Sequence, residues 1–414
     1  MMTRFATVAV AGLFAMCSLA AAEEAASWPE FHGPLRNNIS PETGLLKEWP
    51  EEGPELAWRY DECGIGFSGV SIADGRIYSA GDFDDEHEMV FALDLRGRLL
   101  WKTANGPAWT GPTPGSHSTP TYNDGMVYHM TPLGRLAAFA ADTGKEVWAV
   151  DLKERFGARY GLWAMCENLF VDDDKVLCLP GGGKALAAAL DKKTGKTVWT
   201  TPGGTDKAAY GSPVVGKYKG VRMYIVMTYD GVVCVNVENG EMLWNHPFRR
   251  LSVSQNATTP VFHEGHVFIT CGHMTGGLLL KINDDLKSVS KVWFKQDFDN
   301  CHGCILNLDG KLYGCGCRLG GKNFWCVDLL TGEVKGSEKG LGKVSISYAD
   351  GRIYALEHKG TMHLLKPTGA GVERISKFKL PRDGVGLYLS HPVICGGRMY
   401  LRQGNALFCY DIAE

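Results

Sequence analysis

The chain has 414 residues, 45% of them hydrophobic and 21% charged, with a formal net charge of -3. Both signs are mixed along its length, which excludes a basic nucleic-acid stripe, a solvating acidic arm and a disordered polyelectrolyte. The 52 glycines and 18 prolines suit a fold of many tight turns.

Arg4 precedes an apolar run from Phe5 to Leu19, and Ala20, Ala21 and Ala22 then lead to Glu23 and Glu24. A positive start, an apolar centre and small residues before a polar stretch predict a secretory signal over residues 1–22, cleaved after Ala22. Cys17 invites comparison with a lipoprotein, but Met16 stands where a small residue is needed, so no lipid anchor is expected. No later stretch is apolar enough for a membrane helix. Residues 23–414 are therefore expected to form one soluble, exported domain, periplasmic or secreted, and monomeric.

The rest of the chain repeats. A closing tryptophan recurs at Trp58, Trp101, Trp148, Trp199, Trp244 and Trp293, at spacings of 43 to 51 residues. Two later copies lack it, one from Cys326 through Asp328 and Thr331-Gly332 to Gly336, the other around Leu364 to Phe378. Eight opening hairpins accompany them, at Asp74-Gly75, Asp124-Gly125, Asp173-Asp174, Lys219-Gly220, Glu264-Gly265, Asp309-Gly310, Asp350-Gly351 and Gly396-Gly397. A period in the forties with four short strands per unit predicts propeller blades. One blade cannot bury both faces alone, so the units must pack radially and close. The last copy stops at Cys409-Tyr410-Asp411, halfway through its motif, and the segment ending at Trp58 supplies the remainder. The expectation is an all-β, eight-bladed propeller of four-stranded antiparallel blades, with N- and C-terminal strands sharing one blade. Residues 28–50 are expected over the outside of the ring.

The clearest copy is Ala189-Leu190-Asp191-Lys192-Lys193-Thr194-Gly195-Lys196-Thr197-Val198-Trp199. This resembles the tryptophan-docking motif of the PQQ-like (quinoprotein-type) propellers, over nearly all of residues 28–414. The stretch from Trp28 to Trp58 is also similar to exported proteins described as polyvinyl-alcohol dehydrogenase-like. The resemblance implies one of two classes. Quinoprotein alcohol dehydrogenases bind PQQ and calcium in an axial funnel; cofactor-free propellers, such as the lipoprotein of the Bam complex, act as binding scaffolds. Fold alone does not choose between them.

The loops that follow each closing tryptophan reach one mouth of the channel, so their side chains are expected to share a funnel. They supply Phe67, His117, Arg159, Tyr160, Trp163, Tyr210, Gln255, His302, Lys343, Tyr388 and His391 among others. The resemblance implies that Glu167, Asn256 and Asp299 would ligate calcium, since the family's sites use these residue types in this chain order. Asp299 would then stand as catalytic base, with Trp163 or Tyr160 stacking on PQQ and Arg159, His117, Tyr388 and His391 around it. Against a dehydrogenase stand the missing adjacent cysteine pair, the short chain, and Ile305 where a haem-attachment motif would need histidine. The reading is of a scaffold binding a protein or small molecule at the funnel mouth, with a PQQ- and calcium-dependent alcohol dehydrogenase as the alternative. No nucleic-acid partner is expected.

Five of the 13 cysteines fall between 301 and 326. A two-residue turn at Asp309-Gly310 would set Cys304 opposite Cys315 and His302 opposite Cys317, all on one face of a hairpin. A Cys304–Cys315 disulfide is the first expectation in an exported chain. A metal site of His302, Cys304, Cys315 and Cys317, and inert packed thiols, are the others. Cys234 and Cys409 occupy the small position of the motif and are read as packing.

Overall fold

The computed structural model describes residues 26–84, 86–248, 256–317 and 323–414. The expected signal over residues 1–22, with Cys17, and Gln255 lie outside the described residues. Within them are eight four-stranded antiparallel sheets. Blades one to seven span residues 71–104, 121–151, 170–202, 214–247, 261–295, 306–339 and 344–379 in order. Blade eight joins Val393–Cys395, Arg398–Gln403 and Ala406–Asp411 to the N-terminal strand Leu56–Tyr60, with Trp58 opposite Cys409. The eight-bladed propeller and its shared closing blade are therefore as the repeats imply.

Local chemistry explains each blade. Opening hairpins turn through left-handed pairs such as Asp74 (φ 49°) with Gly75 (φ 70°) and Asp124 (φ 48°) with Gly125 (φ 75°). This is the two-residue turn whose twist matches that of its strands. In the motif, Asp191 Oδ1 accepts from the Lys193 and Thr194 amides and the Thr194 hydroxyl, at 2.7–3.1 Å. The turn sets Gly240 under the indole of the preceding blade: a Cβ there would lie 2.5 Å from Trp199, whose Nε1 donates to Val237 O at 2.9 Å. Trp58, Trp101, Trp148 and Trp293 repeat both contacts, with Gly97, Gly144, Gly195 and Gly332 respectively. A bulge precedes each closing tryptophan and brings it opposite a small residue, Ala92, Ala138, Ala189, Cys234 or Cys409, except at Trp293, which faces Leu279. Cys234 and Cys409 are buried there, as packing thiols.

Trp244 is the exception. Blade five has Asn283-Asp284-Asp285-Leu286 in place of Thr-Gly, and among the described residues Trp244 Nε1 has no acceptor.

The N-terminal segment departs from expectation. Residues 28–40 do not lie outside the ring but close its axis from the hairpin side. Trp28 exchanges two backbone bonds with Ile72 of blade one, and Pro29 O accepts from Tyr122 N of blade two. Arg36 Nη2 donates to Val171 O of blade three, and Asn38 and Ser40 bond Tyr348 of blade seven. The physical reason is that the innermost strands, several only three residues long, leave unpaired backbone groups and an unfilled axial hole. The segment supplies both partners and volume, with Trp28 fully buried. Leu45 and Trp49 then pack on blades seven and eight on the way to the closing strand.

Trp199→Phe is expected to lower stability by about 1 kcal/mol more than Trp244→Phe, because only the first loses a formed hydrogen bond. Thermal melts of the two variants read this as a larger Tm drop for Trp199→Phe; equal drops would contradict it.

Candidate functional site: a blind axial cup

With its floor closed by residues 28–40, the channel becomes a cup of about 500 Å³ open at the other mouth. Phe31 forms the floor; Phe67, Trp163, Tyr210, Leu387 and Leu389 supply apolar walls. His117, His273, His302, His358, His391 and Lys343 supply the polar ones, and no carboxylate lines the cup among the described residues.

Two elements of the same face build the wall. The blade-to-blade loops bring Phe67, His117, Trp163, Tyr210, His302, Lys343 and His391, as the sequence implies. The turns between second and third strands point the same way and bring His273 and His358. Sequence reasoning missed these two, although an up-and-down blade sends that turn to the same end as its exit loop. It also missed Cys166 and Cys301 as lining residues.

The floor fixes the histidines. Thr259 Oγ1 and His32 Nε2 are 2.9 Å apart, His32 Nδ1 and Asn38 Oδ1 3.1 Å, and Asn38 Nδ2 and His391 Nδ1 2.7 Å. The Asn38 amide, one end acceptor and the other donor, thus sets both tautomers: His32 carries its proton on Nδ1, and His391 on Nε2. Asn38 holds φ 58°, a left-handed conformation that asparagine tolerates better than most residues. Burial pushes His32 and His302 down to about 4 and His391 well below its usual value. These imidazoles are neutral at pH 7, and Lys343 is the one permanent cation among the described lining residues.

His117 Nε2 bonds Thr113 O at 2.8 Å, so its Nδ1 is the acceptor facing Cys166 Sγ at 3.2 Å. Burial pushes the Cys166 thiol up to about 12. The pair is a thiol–imidazole hydrogen bond and not an activated nucleophile.

Three further expected residues stand elsewhere. Arg159 turns to Gly204 O, Tyr160 lies under Lys153, and Tyr388 is buried with its hydroxyl on Pro381 O at 2.5 Å. None of them lines the cup.

The oxygen set implied for calcium does not fit a cation in the cup. Glu167 uses both oxygens between blades three and four, accepting from the Tyr224 hydroxyl at 2.5 Å and Leu179 N at 2.8 Å. Burial pushes this carboxyl up to about 7. Asn256 Nδ2 donates to Thr228 O at 2.6 Å. Asp299 is fully buried and clips two loops, accepting from Met274 N at 3.1 Å and Cys317 N at 2.9 Å. None of the three lines the cup, so the residues present there do not supply a calcium site for PQQ.

The cysteines also pair differently. The disulfide joins Cys301 and Cys317, with Cα atoms 5.5 Å apart, while Cys304 and Cys315 are free and buried. The hairpin register is as expected, with Leu306 opposite Tyr313, but pairing stops at Leu306 and Cys304 falls off the ladder. Cys315 Sγ instead receives Val344 N at 3.4 Å and Asn300 Nδ2 at 3.5 Å. His302, Cys304, Cys315 and Cys317 therefore do not form a common metal site.

Fold and site together define an eight-bladed propeller with a floored axial cup. The family model described as outer membrane protein assembly factor BamB matches residues 86–338, more than half the chain, and the protein belongs to that family. It is 29% identical to Outer membrane protein assembly factor BamB of Burkholderia pseudomallei over 259 residues, 59% of this chain and 62% of that protein. It is 28% identical to Quinohemoprotein alcohol dehydrogenase ADH-IIG of Pseudomonas putida over 233 residues, 49% of this chain and 31% of that one. The chain thus spans less than two thirds of the length of either curated relative. The crystal structure of BamB from Moraxella catarrhalis aligns with TM-score 0.62 at 13% identity, covering 87% of this chain and all of that one, a likeness of fold. No helix among the described residues is long and apolar enough to cross a membrane.

Burial gives the cup and the blades around it an opposed pH response. Between about pH 6.5 and 4 the unfolded chain protonates histidines that the fold keeps neutral, so His302 loses stability as pH falls. Glu167 does the reverse, losing stability as pH rises from 4.5 to about 7. The difference between Tm at pH 7 and at pH 4.5 is therefore expected to shrink in His302→Gln and to grow in Glu167→Gln; circular dichroism melts check both signs.

Proposed function

We propose that this chain is an exported binding propeller that receives a small ligand, or a side chain projecting from a partner protein, in its axial cup. Residues 1–22 serve as a cleaved signal and residues 23–414 as one soluble domain. The observation that carries the reading is the cup itself: a floored cavity with aromatic walls, neutral imidazoles, one lysine and no carboxylate among the described lining residues. Such a lining suits a flat group that is uncharged or anionic, and the volume suits a small molecule. A scaffold role agrees with the assembly factors among its relatives. A dehydrogenase reading lacks support from the site, because none of the three residues Glu167, Asn256 and Asp299 lines the cup and the Glu167 and Asp299 carboxylates are taken up in hydrogen bonds inside and between blades, although Asn256 Oδ1 has no partner among the described residues.

Trp163 is a built-in reporter. Titration with a panel of aromatic carboxylates is expected to quench its fluorescence saturably. The signal should vanish in Trp163→Phe, and affinity should fall about tenfold in Lys343→Ala through loss of one charge-assisted contact. Saturable PQQ uptake with calcium, and alcohol-dependent dye reduction lost in Asp299→Ala, would replace the binding reading with the enzyme. The intact mass of exported protein should correspond to a chain starting at Glu23.

A further inference from the structure

The Cys301–Cys317 disulfide stands against a third donor. Ligand atoms of His273, Cys301 and Cys317 all lie within 4.8 Å of one another. Two blades contribute. Cys301 and Cys317 flank the first hairpin of blade six, and His273 sits in the turn after His266–Cys271 of blade five. The arrangement is built in three ways. His273 and Met274 both adopt left-handed conformations, at φ 54° and 68°, which turns the loop toward blade six. Gly272 allows the approach, because a Cβ there would lie 2.4 Å from Cys301 Sγ. Asp299 ties the two loops together through Met274 N and Cys317 N. His273 and Cys301 also line the cup, so the cluster opens onto it.

We infer that, once reduced, this cluster is a binding site for one thiophilic cation, with the Cys301 and Cys317 thiolates and the His273 imidazole as ligands and a fourth position open to the cup. Two thiolates and one imidazole form a soft donor set suited to Zn²⁺ or Cu⁺, and three protein ligands plus an open position is an established zinc arrangement. Sulfurs about 2.3 Å from a tetrahedral ion lie roughly 3.8 Å apart. The His273 ligand atom already stands within 4.8 Å of both sulfurs, so on reduction the two thiols need only move apart to that tetrahedral spacing. The disulfide is the closed, metal-free state. Exchange with a dithiol opens it: the S–S bond breaks, two S–H groups form, and the dithiol leaves as its own disulfide, having given up two electrons and two protons. Metal binding then releases the two thiol protons. The open position places a Lewis-acidic ion where a cup ligand can reach it, which neither the aromatic walls nor Lys343 provides.

The test uses the purified full chain, dialysed against Zn²⁺ and analysed for metal, with and without prior reduction. One Zn²⁺ per chain is expected after reduction and none in the disulfide form. Cys301→Ser and Cys317→Ser should each abolish uptake. His273→Ala, a turn substitution that leaves both thiols, should weaken it by more than about 100-fold, beyond the usual effect of an outer-shell partner. Reduced protein loaded with Co²⁺ should show thiolate-to-metal charge-transfer absorption. Absence of Zn²⁺ uptake by folded, reduced protein would overturn the inference. So would uptake unchanged in His273→Ala or in the oxidised form. None of these readings depends on whether the cup takes an organic ligand, so the two proposals fail separately.

Discussion

The contact on which the rest of this molecule depends is an indole lying on a glycine of the next blade. A blade is a small sheet with two faces to bury, and it succeeds only if its neighbour presents a surface of fixed shape. The Trp199–Gly240 seat supplies that shape: no side chain fits between them, and the Nε1 hydrogen bond to Val237 O fixes the angle. Repetition at Trp58, Trp101, Trp148 and Trp293 makes blade spacing a property of the sequence motif. Blades six and seven dispense with it. In blade six Gly336 replaces the indole, and the blade-seven turn at Ala370 comes directly against its backbone.

A ring spaced in this way has an axial hole, and the way it is filled decides the chemistry of the site. Residues 28–40 fill one end, bond the inner edges of the blades and leave the other end open. The same burial that makes the floor dry keeps its histidines neutral. A single amide, that of Asn38, then orients two imidazoles from opposite sides. The cup is consequently a place of directed hydrogen-bond donors and soft donors, with little net charge.

The ring was legible in the sequence because each seat is local: tryptophan, motif turn and opening hairpin recur at a period that packing enforces. Closure was legible for the same reason, from a half-motif at Tyr410 and its missing end at Trp58. The floor was not, because residues 28–40 follow no period and earn their burial from edges supplied by distant blades. The wall was legible in part. Loops after each tryptophan could be assigned to one mouth, yet Arg159, Tyr160 and Tyr388 in those loops turn away, and His273 and His358 enter from turns read only as connections. The residue types and chain order at Glu167, Asn256 and Asp299 matched the family, yet none of the three lines the cup: Glu167 and Asp299 accept from backbone amides and the Tyr224 hydroxyl, and Asn256 donates to Thr228 O. For the cysteines the register was right and the strand length wrong, which moved the bridge to Cys301 and Cys317.

The floor and the closing strand Leu56–Tyr60 belong to one N-terminal stretch, and that strand pairs with Ala406–Asp411 at the other end of the chain. The closing strand is thus made among the first and docked last. Until the last strands are made the closing strand has no partner and the ring stays open, and bare edges recruit strands from other molecules. The period of vulnerability to aggregation therefore lasts until the final strands of blade eight are in place. The architecture that makes the finished ring hard to open leaves its unclosed form dependent on whatever shields that last edge.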